Sequence, residues 1–176
     1  MGIRCGVTTP LPYTSLAIGV PKERDSRERR VAQSPESVVQ LLKAGFEVRV
    51  EREAGLAAGF LDSDYEKQGA HIVNPADVWT ADIVLKVQPP SEEEALLLGN
   101  RTLVSFIYPA QNAKLMELFV RQNSTVFAMD CIPRMLSRGQ TYDALSSQAN
   151  IAGYRAVIEA ANEFGRFFTG QITAGK

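Results

Sequence analysis

One polar segment, residues 134–147, carries the side chains best suited to bind a cofactor. Its functional groups belong to Arg134, Arg138, Gln140, Asp143 and Ser146. They supply cationic donors, an amide that both donates and accepts, a carboxylate and a hydroxyl. This inventory suits a carboxamide together with a ribose or a phosphate. The same spacing also fits a structural role, in which Asp143 and Ser146 are turn and N-cap residues of a following helix.

Two further cationic features follow or occupy predicted strands. Residues 22–32, KERDSRERRVA, come directly after the first strand, and Lys86 lies within the most apolar strand. Loops at the carboxyl ends of parallel strands are where α/β proteins build their sites. The charged loop is therefore either a solvated surface or part of a site. Lys86 either extends to the strand end or is a charge-paired site residue, because an unpaired buried ammonium is costly.

Several common site types have no signature in the sequence. The one histidine, His71, and the two cysteines, Cys5 and Cys131, lack metal-ligand spacing, so we predict no metal site. There is no GxGxxG motif to approach a dinucleotide pyrophosphate. Residues 170–176 spell GxxxxGK but follow a helix, and we assign them no phosphate-binding role. Any nucleotide must therefore be held mainly from elsewhere.

Length and charge limit the class to which the protein can belong. The 176 residues are 45% hydrophobic and 22% charged, which suffices for one globular core. The net charge of -1 creates no field that would attract nucleic acid, and we predict no such partner. No apolar run reaches the roughly 18 residues of a membrane-spanning helix. Residues 1–15 are predicted to be an N-terminal extension.

The elements that must position the polar segment alternate between strand and helix patterns. Gly, Pro, Asn and Asp mark the joints between short apolar runs and helical stretches. Strands are predicted at 16–20, 46–51, 71–73, 82–87, 103–107 and 125–129, and helices at 35–44, 64–68, 91–98 and 113–122. The uninterrupted apolar character of the last three strands is typical of strands covered on both faces. We predict an α/β fold, a Rossmann-like or flavodoxin-like doubly wound and mostly parallel sheet, over residues 16–145.

The strongest helical pattern covers residues 146–168. Large apolar residues recur three or four positions apart, and a second face consists of small residues, so we expect packing on more than one side. The aromatic pair Phe167 and Phe168 follows, and would lack cover at the end of a complete protein. We therefore expect the chain to be a piece of a larger one, with residues 146–176 connecting to a further domain.

Five segments together resemble the NAD(H)-binding component of proton-translocating NAD(P) transhydrogenase. They are IGVPKE, ERRVAQSPESVVQLLKAGFEV, VWTADIVLKV, LVSFIYPAQN and DALSSQANIAGYRAVIEAANEFGRFFTGQITAGK, and the resemblance extends from about residue 17 to residue 176. A more distant resemblance links GVPKE, ERRVA and LKV to alanine dehydrogenase and related amino-acid dehydrogenases. Both families are oxidoreductases that use a nicotinamide cofactor.

The transhydrogenase resemblance implies a function for the whole enzyme. Hydride passes between NADH and NADP+ and is coupled to proton translocation, with NAD(H) held on this component and NADP(H) on another. The implied partners are an absent NAD-binding second domain, the membrane and NADP-binding components, and a second copy in a homodimer. The implied location is peripheral to a membrane, on the mitochondrial matrix side or the bacterial cytoplasmic side. This fragment alone is expected to be inactive.

The same resemblance assigns roles within the polar segment. Gln140, Asp143 and Ser146 in GQTYDALSS match a family loop that holds the nicotinamide and its ribose, with Gln140 and Asp143 as the catalytic pair. PRMLSRGQ is one residue longer than the usual spacing in the family. The loop arginine is therefore Arg134, with Arg138 as the alternative.

Two alternative functions remain open. In the amino-acid dehydrogenases an Arg and a Lys hold the substrate, and would correspond to Arg30 and Lys86. Their catalytic His is expected within the segment that reads SFIYPAQN here, and that segment contains none. This departure favours transhydrogenase. The other alternative is a truncated, non-catalytic interaction module.

Overall fold

The computed structural model describes residues 12–166 and residue 168, without the side chain of Tyr13. Most of the predicted N-terminal extension and the GxxxxGK segment lie outside these residues. The chain forms two compact units, residues 1–131 and 132–176.

The first unit is built on a six-stranded sheet in which every neighbouring pair is parallel. The strands are β1 Ala17–Val20, β2 Glu47–Glu51, β3 His71–Val73, β4 Ile83–Leu85, β5 Thr102–Ser105 and β6 Thr125–Ala128. Their order across the sheet is β3-β2-β1-β4-β5-β6. Successive strands are added on one side of β1 as far as β3, and then on its other side from β4 to β6. This is the strand order of a Rossmann-like doubly wound sheet, and it confirms the predicted fold. The crevice beyond the carboxyl ends of β1 and β4 is where such folds place ligands.

Five α-helices connect the strands of this unit, and local chemistry sets where they begin. They are α1 Pro35–Lys43, α2 Asp62–Gln68, α3 Pro75–Val78, α4 Glu92–Leu98 and α5 Ala113–Gln122. At the start of α1 the Ser34 side chain accepts a hydrogen bond from the Ser37 N–H, and Pro35 occupies the first helical position. The short helix α3 begins at Pro75 after the Asn74 N-cap, because proline suits the first position of a helix.

Two apolar clusters flank the sheet and fix the strands in place. One gathers Val78, Trp79, Leu98, Leu103 and Phe119, while the other gathers Val20, Val38, Val48, Val50 and Tyr65. β4 and β5 lie in the interior of the sheet, as their apolar sequences predict. The prediction that residues 125–129 are covered on both faces is wrong. β6 is an edge strand among the described residues, and the Phe127 side chain is 59% exposed.

The second unit contains the short helix α6 Ser137–Gln140 and the long helix α7 Ala144–Glu163. Helix α7 begins two residues earlier than predicted and ends at Glu163 rather than at residue 168. None of its residues is buried, and its large apolar side chains, among them Ile151, Tyr154 and Val157, are exposed. The expected packing on more than one side is therefore not found within the described residues. Among all the residues that the structure describes, no helix has the length and apolar character needed to cross a membrane.

Candidate functional site

Asp143 organises the polar segment by capping α7. Its Oδ1 accepts a hydrogen bond from the Ser146 N–H at 3.1 Å, and the Nε of Arg134 lies 3.6 Å from the same oxygen. The hydrogen bonds from Ser146 lower the pKa of the Asp143 carboxyl below its ordinary value, and the Arg134 charge adds to this effect. Asp143 is therefore an anionic N-cap at neutral pH, which is the structural role that the sequence allowed.

The two candidate arginines differ in their surroundings. Arg134 forms the ion pair with Asp143, whereas Arg138 is exposed and forms no ion pair with any residue that the structure describes. Gln140 closes helix α6, and its side chain is exposed. Within this segment Arg134, Asp143 and Ser146 are thus brought together directly. Gln140 lies three residues before the cap, where its amide is accessible.

Gly139 sets the path of the segment and was missed by the sequence analysis. A Cβ at this position would overlap the carbonyl oxygen of Pro133. Helix α6 can approach the preceding backbone only because residue 139 has no side chain. The signal in the sequence was a glycine directly before a candidate site residue. By allowing this close approach, Gly139 fixes the backbone position of Gln140.

A second polar group lies at the carboxyl ends of β1 and β4. The Nζ of Lys86 is 2.8 Å from Oε2 of Glu23, and the two side chains are only 1% and 3% exposed. Glu23 also accepts the backbone N–H groups of Val87 and Gln88. Lys86 is therefore a buried, charge-paired residue, and the reading in which it extends to solvent at the strand end is wrong.

A second cation of the first unit, Arg24, lies close to two more carboxylates. Arg24 donates from Nη2 to Oε1 of Glu51 at 2.9 Å, and its Nε lies 3.8 Å from Oε1 of Glu94. Glu51, at the end of β2, is only 2% exposed. Arg24 and the Lys22 backbone N–H satisfy its carboxylate there. We name Glu23, Arg24, Glu51, Lys86 and Glu94 the buried charge cluster.

Arg30 and Lys86 were the predicted substrate-holding residues of the dehydrogenase alternative. Arg30 donates from Nε and Nη2 to the two oxygens of Glu28, at 2.8 and 2.6 Å. This pairing, with smaller help from Gln88, lowers the pKa of Glu28 to about 2. Each of the two cations thus already binds a carboxylate of the protein. His71 is exposed on β3, far in sequence from either group.

The loop after β5 contains a residue in an uncommon backbone conformation. Tyr108 has a φ of 50°, in the left-handed region. Asp130 stabilises it by accepting the N–H groups of Ile107 and Tyr108, at 2.7 and 3.0 Å. This turn lies in the segment SFIYPAQN, directly after the carboxyl end of β5.

Comparison with known proteins identifies the class to which the fold and these residues belong. Residues 19–152 match the family described as alanine dehydrogenase/PNT, N-terminal domain, and the chain belongs to that family. Within it, the chain is 52% identical over 160 residues to NAD(P) transhydrogenase subunit alpha of Haemophilus influenzae. That match covers 90% of this chain and 31% of the relative, so the chain spans about a third of the relative's length.

A solved structure and a more distant relative agree with this placement. The transhydrogenase from Sinorhizobium meliloti superposes with a TM-score of 0.83 at 42% identity, covering 90% of this chain and 48% of that chain. Alanine dehydrogenase of Bacillus subtilis is 35% identical over 143 residues, covering 80% of this chain and 37% of the relative. The resemblance to transhydrogenase is therefore confirmed, with alanine dehydrogenase as the more distant relation.

Proposed function

We propose that this chain is the N-terminal part of the NAD(H)-binding alpha subunit of a proton-translocating NAD(P) transhydrogenase. In this proposal residues 134–147 position the nicotinamide of NAD(H) for hydride transfer to NADP+. The observation that carries it is the polar segment itself, in which Arg134 and an ionised Asp143 are paired beside an exposed Gln140. The 52% identity to a transhydrogenase alpha subunit supports the same assignment.

The side chains of the segment fit the nicotinamide half of the cofactor. The Gln140 amide can both donate to and accept from a carboxamide. The second oxygen of Asp143 can accept from ribose hydroxyls while Oδ1 caps α7 and faces Arg134. Arg134 supplies further donors and fixes the Asp143 carboxylate, while Ser146 holds the cap in place. NAD(H), when bound, supplies the hydride.

Positioning is sufficient for this reaction because no proton has to be moved at the carbon that loses hydride. What the protein must do is hold the ring at near-attack distance and keep water away. A capped helix start is a rigid place from which to hold it, because the Asp143 side chain is fixed by two partners. Gln140 and Asp143 then act as the catalytic pair by orienting the ring and its ribose.

The remaining functions belong to parts outside this chain. We propose that a second domain holds the rest of NAD(H), that another component binds NADP(H), and that a membrane component moves the proton. The assembled alpha subunit is a homodimer in this proposal. It is peripheral to a membrane, on the mitochondrial matrix side or the bacterial cytoplasmic side.

A chimera tests the proposal with activity as its readout. This chain replaces the matching third of the Haemophilus influenzae alpha subunit, and hydride transfer from NADH to an NADP+ analogue is measured. Gln140→Leu is expected to lower kcat by about 100-fold, since a misplaced ring loses near-attack geometry. Gln111→Leu makes the same change at an exposed amide outside the segment and should leave the rate unchanged. Equal rates for the two variants would contradict the proposal.

Binding to the isolated chain separates the alternatives. Reduced nicotinamide mononucleotide lacks the adenylate half, and its titration should shift amide resonances of residues 134–147 weakly and saturably. A non-catalytic interaction module would show no such shifts. Pyruvate should cause no saturable shift near Arg30 and Lys86, because Glu28 and Glu23 already bind those cations. Saturable pyruvate binding there would favour the amino-acid dehydrogenase alternative instead.

A further inference from the structure

Strand β6 leaves one edge of its backbone open among the residues that the structure describes. The Thr125 N–H donates to the Arg101 carbonyl at 3.1 Å and therefore points toward β5. In a parallel ladder only alternate residues bond to the same neighbouring strand. Val126 therefore presents its N–H and its carbonyl to the open edge, and Ala128 presents its N–H there. These groups can pair with a further strand.

Apolar side chains lie on both sides of this open edge. Phe127 points to the opposite face of the sheet from Val126 and is 59% exposed. On the other face, Leu118 of α5 lines a cleft together with Glu92 of α4. Val120 is two positions from Leu118, about 200° around the helix, so it points away from α4 and toward the open edge. It is 74% exposed.

We name Val120, Val126, Phe127 and Ala128 the β6 edge surface. It contains no charged residue and no proline, which are the residues with which natural proteins protect sheet edges. The charges of the last two turns of α5, Glu117 and Arg121, form an ion pair with each other. The opposite edge strand, β3, has only three residues and is followed by a proline at the start of α3. The β6 edge is therefore the less protected of the two.

We propose that the β6 edge surface binds a second copy of this chain, with the two β6 strands antiparallel across a two-fold axis. A two-fold axis perpendicular to the sheet makes identical edge strands antiparallel, so the donors of each meet the acceptors of the other. Two six-stranded sheets then form one continuous sheet. Val120 and Phe127 of both copies lose solvent contact in this arrangement.

The charges around the edge favour an identical copy over other partners. The β6 edge surface is uncharged, and the pair of Glu117 and Arg121 beside it is balanced, so two copies meet without repulsion. A strongly acidic or basic partner would find no opposite charge there. Self-association is therefore the use that this edge fits best.

This inference does not rest on the transhydrogenase assignment. The proposed function includes a homodimer but assigns it no surface, whereas the β6 edge surface belongs wholly to the first unit of this chain. The rates of the chimera test how the cofactor is positioned. The mass of the isolated chain tests the edge surface, so the failure of one proposal is distinguishable from the failure of the other.

The test is sedimentation equilibrium of the whole chain over micromolar to submillimolar concentrations. A monomer of 19.3 kDa should be in equilibrium with a dimer of twice that mass. Because one short strand and one side of a helix form a small interface, the dissociation constant is expected to be micromolar.

A pair of variants assigns the association to β6. Phe127→Lys removes a buried aromatic contact and opposes two like charges near the axis, so it should weaken association at least about 10-fold. Leu56→Lys replaces a similarly exposed apolar residue just after β2, away from β6 in the sheet, and should leave association unchanged. Equal association of the two variants would overturn the proposal.

Amide hydrogen exchange of the unaltered chain locates the contact without any variant. The amides of Val126 and Ala128 should exchange more slowly at high than at low protein concentration, because they donate to the second copy only in the dimer. The amides of α7, which also carries exposed apolar residues, should show no such dependence. A chain that stays monomeric throughout, or protection that rises in α7 and not in β6, would overturn the proposal.

Discussion

The buried charge cluster and the polar segment at residues 134–147 use the same kinds of side chains in opposite ways. In the cluster, Lys86 and Glu23 bind each other out of contact with solvent. In the segment, Gln140 and Arg134 are exposed and retain most of their hydrogen-bonding capacity. Side chains that are already paired with each other hold a fold together. A ligand site requires side chains that are fixed in position and still have free donors or acceptors.

Removing Lys86, the more deeply buried cation of the cluster, should have the largest effect on stability. Lys86→Ala leaves the buried Glu23 carboxylate without its counter-charge, which costs about 3–5 kcal/mol in the free energy of unfolding. Urea denaturation followed by the fluorescence of the buried Trp79, the single tryptophan of the chain, measures this. Lys114→Ala, an exposed lysine, should change stability by less than about 0.5 kcal/mol. A similar small loss for Lys86→Ala would mean that Glu23 does not depend on it.

Within the polar segment, Gly139 is expected to affect the rate through the backbone that carries Gln140. Gly139→Ala would force the backbone of α6 away from Pro133 and carry Gln140 with it. A displacement of about 1 Å can cost on the order of 100-fold in rate, and we expect 10- to 100-fold slower hydride transfer in the chimera. Gly153→Ala is the control, since a Cβ there meets no atom within 4 Å. It should leave the rate unchanged and stabilise α7 by up to about 1 kcal/mol.

The cap of α7 should contribute less than the buried pair. Asp143→Ala removes the acceptor for the Ser146 N–H and should destabilise the first turn of α7. Amide hydrogen exchange in the first turns of α7 reports this locally. Asp143→Asn keeps a capping oxygen but removes the charge facing Arg134, so it should preserve the helix. Loss of protection in Asp143→Asn comparable to that in Asp143→Ala would show that the ion pair, and not the cap, holds the helix start.

The smallest effect is expected from the pairing of Glu28 with Arg30. The pKa of Glu28 is lowered from 4.5 to about 2, so its contribution is present above pH 4.5 and is lost as the pH falls from 4.5 towards 2. Arg30 is 44% exposed, and solvent screening should limit the contribution to about 1 kcal/mol or less. Glu28→Gln should make the free energy of unfolding less dependent on pH in this range. An unchanged slope would show that other carboxyl groups account for it.

The sequence predicted elements where the physical signal is local. The helix at residues 113–122 was placed at its observed bounds, and the predicted start of α1 at residue 35 is also correct. The edge position of β6 was not predictable from its apolar residues, because hydrophobicity along the chain does not show which strand ends the sheet. The partner of Lys86 was also missed. Glu23 is 63 positions away, and only the parallel order of β1 and β4 brings the two together.

For the candidate site, the sequence indicated the functional groups but not their geometry. Arg134 and Asp143 were selected by residue type and resemblance, and the ion pair between them follows from the turn that precedes α7. Gly139 was overlooked because the need for a missing side chain depends on a close approach to Pro133, which spacing does not reveal. The cofactor-binding roles of all five predicted residues stay predictions: Arg134, Arg138, Gln140, Asp143 and Ser146.

The two carboxylate oxygens of Glu94 have different structural roles. One completes the capping box that starts α4, and the other lies within the buried charge cluster, near Lys86 and Arg24. A shorter Asp would give up the first function and an apolar residue would give up both, which leaves Gln as the tolerable replacement for folding. Any change of charge at this position of the cluster therefore also changes how a helix begins, so the two traits cannot be altered independently.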